Sequence, residues 1–152
     1  MKIPTAIDDS DVERACRRIV HALALHTDRG EYDLALALFT EDAVMERDGE
    51  QFVGMAALRA AYASRPMNRL TRHVISNTLV RSTGPDSAEA TSYVTVYRVA
   101  LPPTKHAPPY PVAGPDVLGE HHDTFRQTKV GWRLSARVTR TILRLDQTGA
   151  NT

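Results

Sequence analysis

Three short stretches carry most of the side chains that could do chemistry. The first, LTRHVISNTLV from Leu70 to Val80, sets an imidazole, His73, and an amide, Asn77, in a run otherwise rich in β-branched and aliphatic residues. Side chains alternate along a strand, so His73, Ile75, Asn77 and Leu79 are expected on one face and Arg72, Val74, Ser76, Thr78 and Val80 on the other. Asn77 lies about 13 Å along the strand from His73, too far to share one ligand atom, and is read as a hydrogen bonder at the end of a cavity. The second stretch, HTDRGEYD, puts Asp28 in the last turn of a predicted helix, at the negative end of its dipole, where a carboxylate needs a partner. The third, GWRLSAR, ends on Arg137, which meets a developing oxyanion if it faces a pocket and is a solvated charge if it does not. Tyr93 and Tyr97 share one face of SYVTVYR, where they either pack across strands or offer a phenol to a ligand oxygen. His121 and His122 are adjacent, so a strand sends one inward and the other out.

Metal chemistry finds little support in this pattern. His26, His73, His121 and Asp28 include the parts of a two-histidine, one-carboxylate site, but no local HxH or HxxxH spacing is present, and neither a metal nor a cofactor is expected. Cys16, the single cysteine, falls within an apolar helical stripe and reads as core packing.

The elements that must position these groups are legible from periodicity. After a short arm, Asp8, Asp9 and Ser10 offer caps, and Val12, Cys16, Ile19, Leu23 and His26 recur at helical spacing up to Gly30. A short helix is predicted in EYDLALALF, then a hairpin about Asp48-Gly49, then a third helix in GMAALRAAYASRP that Pro66 stops. Four long strands follow: Leu70 to Arg81, Ala88 to Leu101, Val117 to Thr128, and Trp132 to about Leu145. The proline-rich PPTKHAPPYPVAGP interrupts them as a rim, lid or subunit contact. Helices first and antiparallel strands afterwards predict one α+β domain, with its core over about 10–145 and a frayed C-terminal tail. The helices are expected to pack on one face of a strongly curved, mixed but mainly antiparallel sheet and to leave a pocket in the resulting cone.

Composition narrows the function classes. The chain has 152 residues, 42% hydrophobic and 24% charged, which suits one soluble domain. Its net charge of +1, from 19 basic and 18 acidic residues without a long block of either sign, argues against nucleic acid or an anionic membrane as partner. No apolar run approaches a membrane span or a secretion signal, so a cytoplasmic location is expected.

ALHTDRGEYDLALALFTEDAV, FVGMAALRAAY, TRHVISN, SYVTVYR and GWRLSAR occur in an order and spacing that resembles the SnoaL-like group of the nuclear transport factor 2-like superfamily, over roughly Val12 to Arg140. The resemblance implies a cone of the scytalone dehydratase-like or cystatin-like kind. It also implies that Asp28 faces His73, as the aspartate and histidine of dehydratase-like and dehydrochlorinase-like members do, and that Arg137 points into the cavity. Two departures stand out: Thr27 occupies the position before the aspartate where members resembling scytalone dehydratase carry a tyrosine, and His121 stands where an aromatic is common in that strand.

Pairing would satisfy both groups, since a buried carboxylate needs a donor and a neutral imidazole needs its tautomer fixed, and it leaves the second imidazole nitrogen free to take a proton. The expected activity is a cofactor-independent lyase of the dehydratase type or an isomerase, with His73 as base, Asp28 behind it and Arg137 meeting negative charge. Tyr97, Tyr93, Asn77 and His121 would hold a small hydrophobic or aromatic carbonyl-type ligand. The alternative is a non-catalytic binding module resembling the small (beta) subunit of ring-hydroxylating dioxygenases. Val94, Val96, Leu134, Ala136 and Val138 are expected on the convex back of the sheet, where an uncovered apolar surface predicts a homodimer or homotrimer.

Overall fold

Helix α1 (Asp11–Arg29) buries Cys16, Ile19, Val20, Leu23 and Ala24, a stripe at spacings of three and four that gives it one face for a core. The computed structural model describes residues 11–104 and 107–145, so the arm, two residues of the proline-rich loop and the tail lie outside the described residues. Gly30, at φ 71°, ends α1 in a Schellman arrangement: its N–H donates to Thr27 O (3.3 Å) and that of Glu31 to His26 O (2.9 Å). This closure holds Asp28 in the last helical turn. Helix α2 (Tyr32–Leu36) follows, then strands β1 (Phe39–Arg47) and β2 (Glu50–Val53) joined at Asp48 and Gly49, whose φ of 47° and 90° are those of the expected two-residue turn. Helix α3 (Gly54–Ala63) stops short of Pro66.

Strands β3 (Arg69–Gly84), β4 (Ser87–Ala100), β5 (Val117–Thr128) and β6 (Gly131–Arg144) complete a six-stranded sheet in the order β2-β1-β6-β5-β4-β3. All neighbours are antiparallel except β1 and β6, so the sheet is mixed as expected. The helices cover one half of its concave face, where they share a core with Ala88, Ala90, Phe125 and Leu134. The other half, with Val94, Val96 and Val117 as a smaller apolar cluster, is left open as a cavity. No helix among the described residues is long and apolar enough to cross a membrane.

Strand faces differ from the expected parity, and bulges explain part of the difference. Asn77 has φ 53° and sits where the β3–β4 register shifts between Ser76 and Leu79, so Thr78 and Val80 turn inward while Leu79 is 72% exposed. A second shift, between Thr124 and Phe125 opposite β6, puts Leu134 and Arg137 both on the inner face. Leu134 is therefore buried inside, as are Val94 and Val96 on the unbroken alternation of β4, rather than on the convex back, which instead carries Val74, Leu79, Tyr93, Ala136 and Val138.

Candidate functional site

Asp28 and His73 meet. Helix α1 brings Asp28 to the edge of β3, where Oδ2 accepts the backbone N–H of His73 (2.7 Å) and Oδ1 lies 2.5 Å from His73 Nδ1. The Thr71 hydroxyl donates to the same Oδ1 at 2.9 Å and accepts from Arg65 Nη2 at 3.3 Å. Both side chains are largely shielded, at 7% exposure for Asp28 and 18% for His73. Burial works to raise the Asp28 pKa, but these hydrogen bonds and the imidazole outweigh it and hold the carboxyl below its ordinary value. An ionised carboxylate only accepts, so Nδ1 of His73 carries a hydrogen, and in the neutral imidazole Nε2 keeps the lone pair. Nε2 makes no protein hydrogen bond among the described residues, and His73 lines the cavity.

The cavity has a volume of about 370 Å³, at the lower end of small-molecule pockets. Its floor carries a second imidazole and a buried ion pair. His121 points inward from β5, 7% exposed, with Nδ1 2.9 Å from Thr139 Oγ1. Burial first, and then the positive field of Arg137, push its pKa well below the ordinary imidazole range, so it is neutral at pH 7. His122 faces the other way and pairs with Glu120 at 3.0 Å. Arg137 does point into the cavity, but its Nε and Nη2 each donate to a different oxygen of Asp123, directly across the β5–β6 pair, at 2.7 Å. Burial disfavours the guanidinium charge and Asp123 more than offsets it, raising its pKa further. The group is thus a neutralised pair with one terminal nitrogen to spare, not the free cation the sequence suggested.

Three expected ligand contacts are absent from the cavity wall. Asn77 is the exposed bulge residue, and Tyr93 and Tyr97 alternate with the inward Val94 and Val96, so they stand on the outer face. The phenol comes from α3 instead. Tyr62 is buried, lines the cavity, stacks obliquely on Tyr32 (5.5 Å between centroids) and sets its hydroxyl 3.4 Å from Thr27 Oγ1. Thr27 is the position before Asp28 at which a tyrosine was missing, so α3 offers a phenol that α1 lacks. Sequence reasoning also missed Thr71, although its place two residues before His73 on one strand gives it the same face.

The remaining groups lie elsewhere. His26 pairs with Glu31 at 2.6 Å, and no group of three or more His, Cys, Asp or Glu side chains among the described residues is arranged to hold a metal ion. Cys16 is fully buried in the core and its thiol is pushed up to about 11, chiefly by that burial. The described part of the proline-rich loop contributes nothing to the cavity wall, though Asp116 at its end pairs with Arg98 at 3.1 Å.

Comparison with known proteins places this geometry. The family model described as a SnoaL-like domain matches residues 8–138. No curated protein matches the chain by sequence. Among solved structures, a candidate dehydratase of the NTF2-like family from Streptomyces avermitilis aligns with a TM-score of 0.76 and 21% identity, covering 89% of this chain and 98% of that one. A candidate scytalone dehydratase from Novosphingobium aromaticivorans gives 0.71 and 22% over 88% and 85%. ActVI-ORFA from Streptomyces coelicolor gives 0.71 and 18% over 87% and 98%. At such identities the likeness shows the fold.

Proposed function

We propose that this chain, which belongs to the SnoaL-like domain family, is a cofactor-independent enzyme that abstracts a proton next to a carbonyl or similar electron-withdrawing group, as a dehydratase-type lyase or an isomerase. The observation that carries the reading is the Asp28–His73 pair, which leaves a lone pair on Nε2 at a cavity wall. His73 takes the carbon-bound proton on Nε2, and the C–H electron pair moves into the adjacent system to give an enolate. Asp28, already ionised, stabilises the imidazolium that forms. The neutral His121, the Tyr62 hydroxyl and the spare terminal nitrogen of Arg137 are the donors around the cavity for the enolate oxygen. In the lyase reaction a β-hydroxyl departs as water with the proton returned from His73. In the isomerase reaction that proton returns to a different carbon.

Dehydratase-named structures of the same fold support the reaction class, and the local chemistry supports the roles. The test is solvent exchange. Aromatic ketones small enough for the cavity are incubated in deuterium oxide with the protein, and deuterium gained at the carbon beside the carbonyl is read by NMR or mass spectrometry. Exchange should occur with the native protein and vanish in His73→Ala. Saturable binding of the same ketones with no exchange would overturn the catalytic reading.

A further inference from the structure

The mouth of the cavity has an unbalanced charge. Arg47 from β1, Arg65 after α3, Arg69 from β3 and Arg98 from β4 all contribute to its wall. The strand register brings several close together: Arg98 is directly opposite Thr71, which shares its face of β3 with Arg69, and Arg47 is paired with the inward-facing Thr139. Asp48 is the only carboxylate among the lining residues, Asp116 lies beside Arg98, and both are committed. Asp48 accepts the backbone N–H and the hydroxyl of Thr141 (2.8 and 2.9 Å), and Asp116 holds Arg98. Arg47, Arg65 and Arg69 make no ion pair with a carboxylate among the described residues; Arg65 reaches the Thr71 hydroxyl and Arg47 lies over the Phe52 ring.

A chain whose net charge is only +1 gains nothing in stability by gathering four guanidinium groups about one opening. Burial lowers the Arg69 pKa, and Arg65, Arg98 and Arg47 lower it further by like-charge repulsion. Guanidinium is the side chain best shaped to bind an oxyanion in two-point fashion, and a cleft lined with one sign focuses its field on an entering ligand of the other.

We infer that the mouth of the cavity is an anion-recognition site, and that the ligand carries an acidic group, a carboxylate or a phosphate, at the end opposite the carbon presented to His73. This deepens the proton-transfer reading and rests on it for the orientation of the ligand, but not for the charge. The acidic end stays at the arginines, the apolar body lies along Val94, Val96 and Val117, and the reacting carbon reaches Nε2. An anion held at the mouth would also fix which end of the molecule enters.

Three probes of one shape test this: 2-naphthoate, 2-naphthyl phosphate and neutral 2-naphthamide, titrated calorimetrically at low and at 0.5 M (roughly screening-level) salt. Charge-assisted hydrogen bonds predict that an anionic probe binds at least about tenfold tighter than the amide at low salt. The advantage should shrink at high salt and fall to about threefold or less in the Arg47→Gln, Arg69→Gln double variant, while amide affinity is unchanged. The phosphate binding more than about tenfold tighter than the carboxylate assigns a phosphorylated ligand; comparable or weaker phosphate binding assigns a carboxylic acid. The double variant should melt no lower than the native protein, since it relieves repulsion, which guards against a folding artefact. Equal affinity for anion and amide, a preference that survives the double variant, or no saturable binding of any probe overturns the inference. His73→Ala should retain the anion preference, so loss of proton exchange and loss of anion recognition are read apart.

Discussion

Replacing Asp28 with asparagine should invert the tautomer of His73 while leaving the protein folded. The carboxylate accepts three hydrogen bonds, two from His73 and one from Thr71. An asparagine has one oxygen and one NH2 group, and the backbone N–H of His73 has no lone pair to offer. The oxygen must therefore remain at the Oδ2 position, and NH2 takes the Oδ1 position. There it donates toward Thr71 Oγ1, whose hydroxyl can rotate, and toward Nδ1, which now has to present its lone pair. The hydrogen moves to Nε2, and the cavity meets a donor where it had met a base. A hydrogen bond to a charged carboxylate is worth about 1.5–3 kcal/mol, which favours the native Nδ1–H form by roughly tenfold to a hundredfold. Two-bond 1H–15N correlation spectra, with His73 assigned by comparison with His73→Ala, should show Nδ1–H in the native protein and Nε2–H in Asp28→Asn. Exchange activity should drop on the order of 10²–10⁴-fold. The substitution also removes an acid-sensitive group. Because the folded carboxyl lies below its unfolded value of about 3.9, its stabilisation is present above that pH and lost as pH falls through the folded pKa. The variant's stability curve should be flatter below about pH 4. An unchanged tautomer in Asp28→Asn, or Nε2–H in the native spectrum, would refute the assignment of His73 as base.

Four other outcomes follow from particular contacts. His121 is neutral in the folded state and gains a proton on unfolding below about pH 6.5, so native stability should fall between pH 7 and 5 with a slope of up to about 1.4 kcal/mol per pH unit, and urea titrations should show that slope removed in His121→Asn. Asp123→Asn strands a buried guanidinium and should cost about 3–5 kcal/mol in chemical denaturation, whereas the double change Asp123→Leu, Arg137→Met should cost less, because the pair's desolvation is then removed as well. A Cβ on Gly119 would come 2.6 Å from the Arg140 carbonyl oxygen, so Gly119→Ala should lower the melting temperature by several degrees, about 1–3 kcal/mol, in calorimetry. On the convex back Val74 is 51% exposed and Tyr93 40%, alongside Leu79, and light scattering at micromolar concentration is expected to give a dimer or trimer mass that Val74→Lys with Leu79→Lys reduces to a monomer.

The elements themselves were readable because their signals are local. The apolar stripe of α1, the Asp48-Gly49 turn, Pro66 and the long alternating strands each depend on residues a few positions apart, and each element occurs where those signals put it. Asp28 and His73 are 45 positions apart and no periodicity joins them; a family resemblance supplied that link, and the two side chains lie in hydrogen-bond contact. Face assignment failed where it needed information from across the sheet. Nothing in LTRHVISNTLV announces that Asn77 takes φ 53°, although asparagine is one of the few side chains that tolerates it, and one such residue reverses every face beyond it. On β4 the error was of another kind. The alternation was read correctly, but tyrosine was preferred inside, whereas the helices packed on that face need the small Ala88 and Ala90 beneath them and send Tyr93 and Tyr97 outward. The residues alone left Arg137 open between pocket and solvent and only the resemblance put it inside, while its partner Asp123 went unseen because cross-strand pairing depends on register.

The two imidazoles of the cavity show why the pairings matter more than the residue types. His73 faces a carboxylate and His121 faces a guanidinium, so a proton entering the site finds its counter-charge at only one of them. Had Arg137 lacked Asp123, its unneutralised charge would oppose an imidazolium anywhere in so small a volume, His73 included. With Asp123 bound through both oxygens, Arg137 keeps a donor nitrogen for a ligand while its net field is reduced. His121, shielded from water and tied to Thr139, is then a neutral hydrogen-bonding group, and His73 is the imidazole with a carboxylate behind it. Environments that separate two like groups in this way divide one site into a base and a polar support, and here the division is set by Asp28, which α1 brings behind His73, and by the Arg137–Asp123 pair that the β5–β6 register places near His121.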